Sequence, residues 1–256
     1  MDAVLTVEQL SLRDTVRDIL RAECPPDAAR HAMSDPERWR TLWKTFVDLG
    51  WTELAAPAAD GEYGPVELLV VLEECGAAIA PVPLLSSIGL AAGLLRSAGP
   101  ACGDVLSEIT GGAVATLAVH SPGQRLAGAP MTLRNGRLHG RAVAVPNAGR
   151  AELFVTLAAT EDGVVAAVAR SGDGVTVLTD ESTDPAQPGA GIEIDAEPIA
   201  SAVLESVESA MIAPLVAAAA DLVGMASAAL HRAVEHAKTR RQFGTPIGAF
   251  QGIKHA

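Results

Sequence analysis

The chain has 256 residues, 49% of them apolar and only 3% aromatic, with a formal net charge of −12 at pH 7. A core so poor in aromatics has to be built from Ala, Val and Leu, which favours close helix packing and argues against an all-β fold. The acidic balance argues against nucleic acid or an anionic membrane surface as the main partner, and it leaves room for an anionic cofactor held by a few local Arg or Lys.

Cys24, Cys75 and Cys102 are scattered, odd in number and free of any CxxC pair, which reads as reduced cytosolic thiols, not a disulfide framework. No positively charged leader precedes an apolar run, so no secretory signal is expected. The most apolar stretch, 211–229, is Ala-rich and carries Asp221. A buried helix fits it better than a membrane span, which is normally free of charge. The expectation is a soluble cytoplasmic protein.

The first hundred-odd residues read as helices. Thr6 and Gln9 make a capping box, with Leu10, Leu12, Val16, Ile19 and Leu20 as an apolar stripe behind it. A second helix is predicted to start at Asp35-Pro36 and stop at Gly50, with Trp39, Leu42, Trp43, Phe46 and Leu49 at helical spacing. A loop containing Pro57, Gly61 and Gly64 leads to a helix over 65–78, and Pro81 and Pro83 introduce another over 84–98, closed by Gly99. A short amphipathic segment over 105–109 ends this part.

Near Gly111-Gly112 the pattern changes to short Val- and Leu-rich runs with turns between them. The segment 131–139 is predicted as a hairpin with Asn135-Gly136 at its tip, and the runs 153–158 and 164–168 flank a turn at Glu161-Asp162-Gly163. The stretch 183–191 reads as a surface loop. From Ser206 to about Thr239 the helical period returns in one long Ala-rich helix, broken by Gly244 and Pro246, and a further helix is expected near Gly248. The predicted fold class is α+β. It comprises an N-terminal helical domain over 1–110, a middle antiparallel β-domain over 111–205 and the start of a C-terminal helical domain over 206–256.

The segment Arg240-x-Gln242-Phe243-Gly244-x-Pro246-Ile247-x-x-Phe250-Gln251 resembles the signature of the flavin-dependent acyl-CoA dehydrogenase family, and it follows a long helix as it does there. Trp39, Leu49-Gly50-Trp51, Pro57 with Gly61 and Gly64, and Leu72-Glu73-Glu74-Cys75-Gly76 resemble the family's N-terminal helical domain, so the likeness runs along the whole chain. It implies that Arg240, Gln242, Phe243 and Gln251 touch the FAD of a neighbouring subunit, because family dimers share their flavin sites. The chemistry of the motif agrees. A guanidinium is a rigid fork of donors suited to pyrophosphate oxygens and stays charged at any working pH, and helix N–H groups near Gly248 would add a positive end. The plainer reading is that Lys238, Arg240 and Arg241 complement a helix C-terminus.

The chain also departs from the family. Where flavin-binding members carry Thr-Glu-Pro and Gly-Ser-Asp it reads Leu117 to Gln124, and where they carry Trp-Ile-Thr beside the flavin ring it reads Ala142-Val143-Ala144-Val145-Pro146. The usual catalytic Glu lies in final helices that this sequence does not include, and the alternative position of that base corresponds to Pro214. Glu205 and Glu208 read as solvated first-turn carboxylates, Glu73-Glu74 as a solvated face, and His231 and His236 are five apart, the wrong spacing for one metal site. Ser121-Pro122-Gly123 lacks the setting of a nucleophile elbow. No catalytic residue and no metal site is assigned.

The resemblance implies the degenerate subunit of a heteromeric acyl-CoA dehydrogenase. Bacterial enzymes of this kind, including some acting on steroid side chains, pair a flavin-holding, Glu-bearing subunit with a degenerate one; for this chain the resemblance implies a homo- or heterotetramer. Acyl-CoA is then the substrate and a homologous subunit the partner. Two alternatives stay open: a non-catalytic structural or regulatory relative, or a flavin monooxygenase or oxidase of the same fold. Leu215, Val216, Leu222, Val223, Met225, Leu230 and Val234 would in every case need covering by another chain or further sequence.

Overall fold

The computed structural model describes residues 4–25, 27–56, 64–172, 174–179, 182, 184 and 186–255. The predicted loop positions Pro57 and Gly61, and part of the 183–191 loop, lie outside these residues.

The N-terminal helices are α1 (Val7–Glu23), α2 (Ala28–Ser34), α3 (Trp39–Asp48), α4 (Pro65–Ala78), α5 (Ala92–Ser97) and α6 (Gly103–Thr110). The capping box at Thr6 and Gln9 closes in both directions, at 3.0 and 3.2 Å. At α4 Gly64 is the N-cap, its N–H donating to Glu67 Oε2 at 2.7 Å, and Pro65 fills the first helical position, where a missing N–H costs nothing. The second predicted helix is shorter than its signals. Glu37 N–H donates to Asp35 Oδ1, which holds residues 36–38 in turns, and the helix begins at Trp39. The apolar run after Pro83 opens with a π-turn, Leu85–Ala91, before settling into α5. Helix α2 had no apolar period to announce it.

Eight strands follow: β1 (Ala115–Ala118), β2 (Met131–Arg134), β3 (Arg137–Pro146), β4 (Leu153–Ala159), β5 (Val164–Arg170), β6 (Val175–Leu178), β7 (Gly189–Ala196) and β8 (Ala200–Val203). Their order is β6-β7-β3-β2-β4-β5-β8, with β1 sharing the β2 edge of β4. The β2–β3 hairpin turns at Asn135 (φ 50°) and Gly136 (φ 74°), the left-handed pair its sequence calls for. The α+β class stands, but the sheet is mixed: β1 and β2 run parallel to β4 and the other pairs are antiparallel. Parallel pairing joins segments far apart in the chain, so no local turn signal marks it.

Alternation along β4 sends Leu153, Val155 and Leu157 into one core with the helices, and Phe154 and Ala158 into a second core under β3 and β7. Trp43 Nε1 donates to Gly112 O at 2.9 Å, and Ser87 Oγ both donates to Ala115 O and accepts from Ala115 N–H, each at 3.0 Å. These bonds tie the helices to the sheet.

The last helices are α7 (Val207–Thr239), capped by Ser206, and the four-residue α8 (Gln251–Lys254); between them lie the two-residue strands β9 (Arg241–Gln242) and β10 (Thr245–Pro246). By length and composition α7 could cross a membrane. Only one of its faces is buried, through Ala210, Met211, Pro214, Ala217, Asp221 and Gly224, against α4, α5 and the π-turn. The expected buried helix is thus buried along one face, and the apolar residues expected to need covering lie on the other. Ile212, Leu215, Val216, Leu222, Val223, Met225, Leu230 and Val234 are in contact with solvent.

Candidate functional site

Helix α7 ends where Arg240 turns extended, its N–H still donating to His236 O at 2.8 Å. The chain then doubles back: Gln242 pairs with Thr245 and Arg241 with Pro246, and Ile247 N–H donates to Arg240 O at 2.8 Å. The reversal is made by Phe243 (φ 51°) and Gly244 (φ 83°), both left-handed. Gly244 adopts that conformation freely, whereas Phe243 pays roughly 1–2 kcal/mol for it. The cost goes with an outward placement, since Phe243 is 94% exposed and stands in a T-shaped arrangement with Phe250, their ring centres 6.4 Å apart.

The four expected contact residues are all exposed. Arg240, Gln242 and Phe243 lie together on the hairpin, and Gln251 opens α8 just beyond Phe250. Among the described residues the Arg240 guanidinium has no hydrogen bond or ion pair. Its neighbours are engaged, with Lys238 Nζ 2.8 Å from Glu235 Oε1 and Arg241 Nη1 donating to Gly244 O at 3.3 Å. Arg241 thus braces the turn that presents Arg240. The helix expected near Gly248 begins instead at Gln251. Residues 247–249 form a 3₁₀ turn, because Gly248 lies tight against Ala237 O and Phe250 is extended.

The two stretches that depart from the family's flavin motifs meet at the sheet rim, where Val143 N–H donates to His120 O at 2.9 Å. The ladder bulges between Ala142 and Val145, with Ala144 exposed at φ 53°. In place of Trp-Ile-Thr this rim has the half-buried Val143, the exposed Ala144 and the buried Val145, so that stretch brings neither an indole face nor a hydroxyl to a flavin ring. The hairpin, with a free guanidinium, an amide and an aromatic ring, does fit a flavin nucleotide's pyrophosphate and ring edges.

Residues 6–101 match the acyl-CoA dehydrogenase N-terminal domain and residues 215–256 the acyl-CoA dehydrogenase C-terminal domain. Acyl-CoA dehydrogenase FadE27 of Mycobacterium tuberculosis is 31% identical over 265 residues, covering 99% of this chain and 71% of the relative. The chain belongs to the acyl-CoA dehydrogenase family. Acyl-CoA dehydrogenase IpdE2 of Mycolicibacterium smegmatis is 30% identical, covering 98% of this chain and 71% of that protein. Among solved structures, the ChsE4-ChsE5 complex from Mycobacterium tuberculosis superposes with a TM-score of 0.83 at 27% identity, covering 100% of this chain and 73% of that one. A variant of the Tcur3481-Tcur3483 steroid acyl-CoA dehydrogenase gives 0.84 at 27% identity, over 97% and 71%.

An acyl-CoA dehydrogenase is an oxidoreductase acting on acyl-CoA, and its chemistry asks for a carboxylate base within hydrogen-bond reach of the substrate. Glu205 and Glu208 are exposed at the start of α7. Glu208 accepts from Ser206 Oγ at 2.9 Å, and hydrogen bonds from its backbone N–H and Ser206 hold its pKa below the usual value. Pro214 is buried against Gly93.

Glu74 corrects the solvated-face reading of its pair. It is buried, and Arg17 holds it with two hydrogen bonds, of 3.0 and 2.5 Å. Its place on the stripe of Val71, Cys75 and Ala78 was the available signal. Asp221 is a buried carboxyl that sequence reasoning used only as a charge, and burial pushes its pKa up to about 6. Burial also raises Cys24 to about 12 and holds Cys75 well above the thiol range, which leaves both as inert core thiols. No metal-binding cluster occurs among the described residues.

Proposed function

We propose that this chain is one subunit of an FAD-dependent enzyme that dehydrogenates an acyl-CoA thioester between its α and β carbons. In this reading it is a cytoplasmic, degenerate subunit of fatty-acid or steroid degradation. It acts beside a homologous acyl-CoA dehydrogenase subunit in a tetramer, and it presents Arg240, Gln242, Phe243 and Gln251 to a flavin that the partner holds. One observation carries the proposal: the hairpin holds Arg240, unpaired among the described residues, and an exposed Phe243 away from the body of its own chain.

FAD, when bound, supplies the hydride acceptor. Arg240 would give the pyrophosphate two parallel N–H donors, Gln242 and Gln251 would add amide donors, and Phe243 would cover apolar surface and exclude water. Among the described residues Glu205 and Glu208 are exposed at the start of α7 and Pro214 offers no carboxylate, so in this reading the partner supplies the base that takes the α proton. The exposed stripe of α7, whose large side chains each gain roughly 1.5–3 kcal/mol on full burial, is the surface the partner would cover.

The test is the visible spectrum of the protein purified alone and after mixing with a flavin-binding homologous chain. No flavin band alone and stoichiometric flavin with acyl-CoA-dependent reduction in the mixture is the expected result. Full flavin occupancy of the isolated chain overturns the shared-site reading. A mixture that retains no flavin favours a structural or regulatory relative, and oxygen consumption by the reduced flavin favours an oxidase or monooxygenase.

A further inference from the structure

Helix α7 has two opposed faces. Ala210, Pro214, Ala217, Asp221 and Gly224 seat one of them on the body of the chain. On the other, Ile212, Leu215, Leu222 and Leu230 are between 59% and 67% exposed, with Val216 and Val223 beside them at 44% and 55%. Ala219, Ala226 and Ala233 run down the middle of this outer face at seven-residue steps, all exposed. Such a repeat keeps one line turned toward a partner helix, and small side chains along it let the two axes approach. The ends of α7 carry opposite charge. Glu205 and Glu208 are exposed where the helix begins, and Lys238, Arg240 and Arg241 where it finishes. A second α7 laid parallel would set like charge on like at both ends. Laid antiparallel, it sets Glu208 of each copy beside Lys238 of the other and opposes the two helix dipoles, which favours that direction.

We propose that, in the absence of another subunit, this chain pairs with a second copy of itself, α7 lying antiparallel on α7 about a two-fold axis near Leu222 and Val223. The pairing is isologous: each copy gives the same strip and receives the same strip. Each body, seated on the opposite face of its helix, stands outside the pair. At 33 residues α7 is about 50 Å long and about 10 Å across, so the strip offers roughly 500 Å² from each copy, or about the 1,000 Å² in total that a specific interface needs. The proposal goes beyond the reading above. There the flavin-holding subunit covers this face, and here a second copy covers it while that subunit is missing.

Two measurements on the isolated chain test this. The first is treatment with a carbodiimide, which joins a carboxylate to an amine without a spacer, followed by peptide mapping. A link from Lys238 to Glu205 or Glu208 is expected. Along one helix Glu208 and Lys238 are about 45 Å apart at 1.5 Å per residue, so that link joins two copies. The second is sedimentation velocity of charge-reversed variants. Glu208→Lys and Lys238→Glu should each weaken the dimer several-fold, and the two changes in one chain should restore it. Apolar clustering without a fixed direction would give no such rescue. A monomer at micromolar concentration, a linked dimer without the expected cross-link, or a double variant no tighter than the single ones overturns the proposal. Flavin content after mixing with a flavin-binding homologous chain reports on the shared-site reading alone, because self-pairing is measured without that chain.

Discussion

Arg17 on α1 holds Glu74 on α4 with two arms of one guanidinium, Nε at 3.0 Å from Oε2 and Nη2 at 2.5 Å from Oε1. The carboxylate is buried while the guanidinium keeps one side in water, 40% exposed. Arg17→Ala would leave a buried acceptor without its donor, a loss of roughly 1.5–3 kcal/mol for a charge-assisted bond. Arg17→Lys should recover part of that through one hydrogen bond. Chemical denaturation of the parent and both variants checks the order parent, Lys, Ala. Equal stability of all three would show that Glu74 is satisfied in some other way.

Asp221 predicts a pH signature. Burial raises its folded-state pKa from an ordinary 3.8 to about 6. A raised folded value means that its contribution to stability is fully present below about pH 4 and is lost as pH climbs through about 6. Asp221→Asn removes the titration. The variant should therefore be more stable than the parent at pH 7, with the advantage shrinking to nothing near pH 4. Melting curves at several pH values give the comparison, and an advantage that grows toward acid would refute the assignment.

How far the sequence could be read follows from the range of each interaction. Gly64-Pro65, Ser206 and Asn135-Gly136 act within a few residues, so α4, the start of α7 and the β2–β3 turn were legible. The parallel pairing of β1 and β2 with β4, the burial of Glu74 and the seating of α7 on Gly76, Gly89 and Gly93 depend on partners tens of residues away. No local pattern encodes those partners. At the site, the residues of the motif were legible and their presentation was not. The hairpin turns on a strained Phe243, and the following helix starts at Gln251 because Phe250 is extended.

The open stripe of α7 makes association measurable. Leu222 and Leu230, 61% and 67% exposed, sit amid other wet apolar side chains. A contiguous patch of this kind marks an interaction surface. Light scattering at micromolar concentration should show the parent above monomer mass, and Leu222→Glu with Leu230→Glu should shift it toward monomer without loss of helical signal. A parent that is monodisperse and monomeric would count against the interface.

Arg240 is the sharpest probe of the flavin-sharing reading. In a reconstituted complex, Arg240→Ala removes the bidentate donor from the pyrophosphate. Charge-assisted hydrogen bonds contribute roughly 1.5–3 kcal/mol, so flavin affinity should drop by about one to two decades. Arg240→Lys keeps the attraction of a point charge without the fork and should recover only part of the loss. Arg241→Ala is the comparison. Its side chain reaches Gly244 O at 3.3 Å within an exposed turn, so its loss should loosen the hairpin and change flavin retention less than Arg240→Ala does. Flavin fluorescence released on dilution measures all three. Retention equal to the parent in Arg240→Ala and Arg240→Lys alike would return this basic cluster to complementing the end of α7, and the chain would have no part in holding the cofactor.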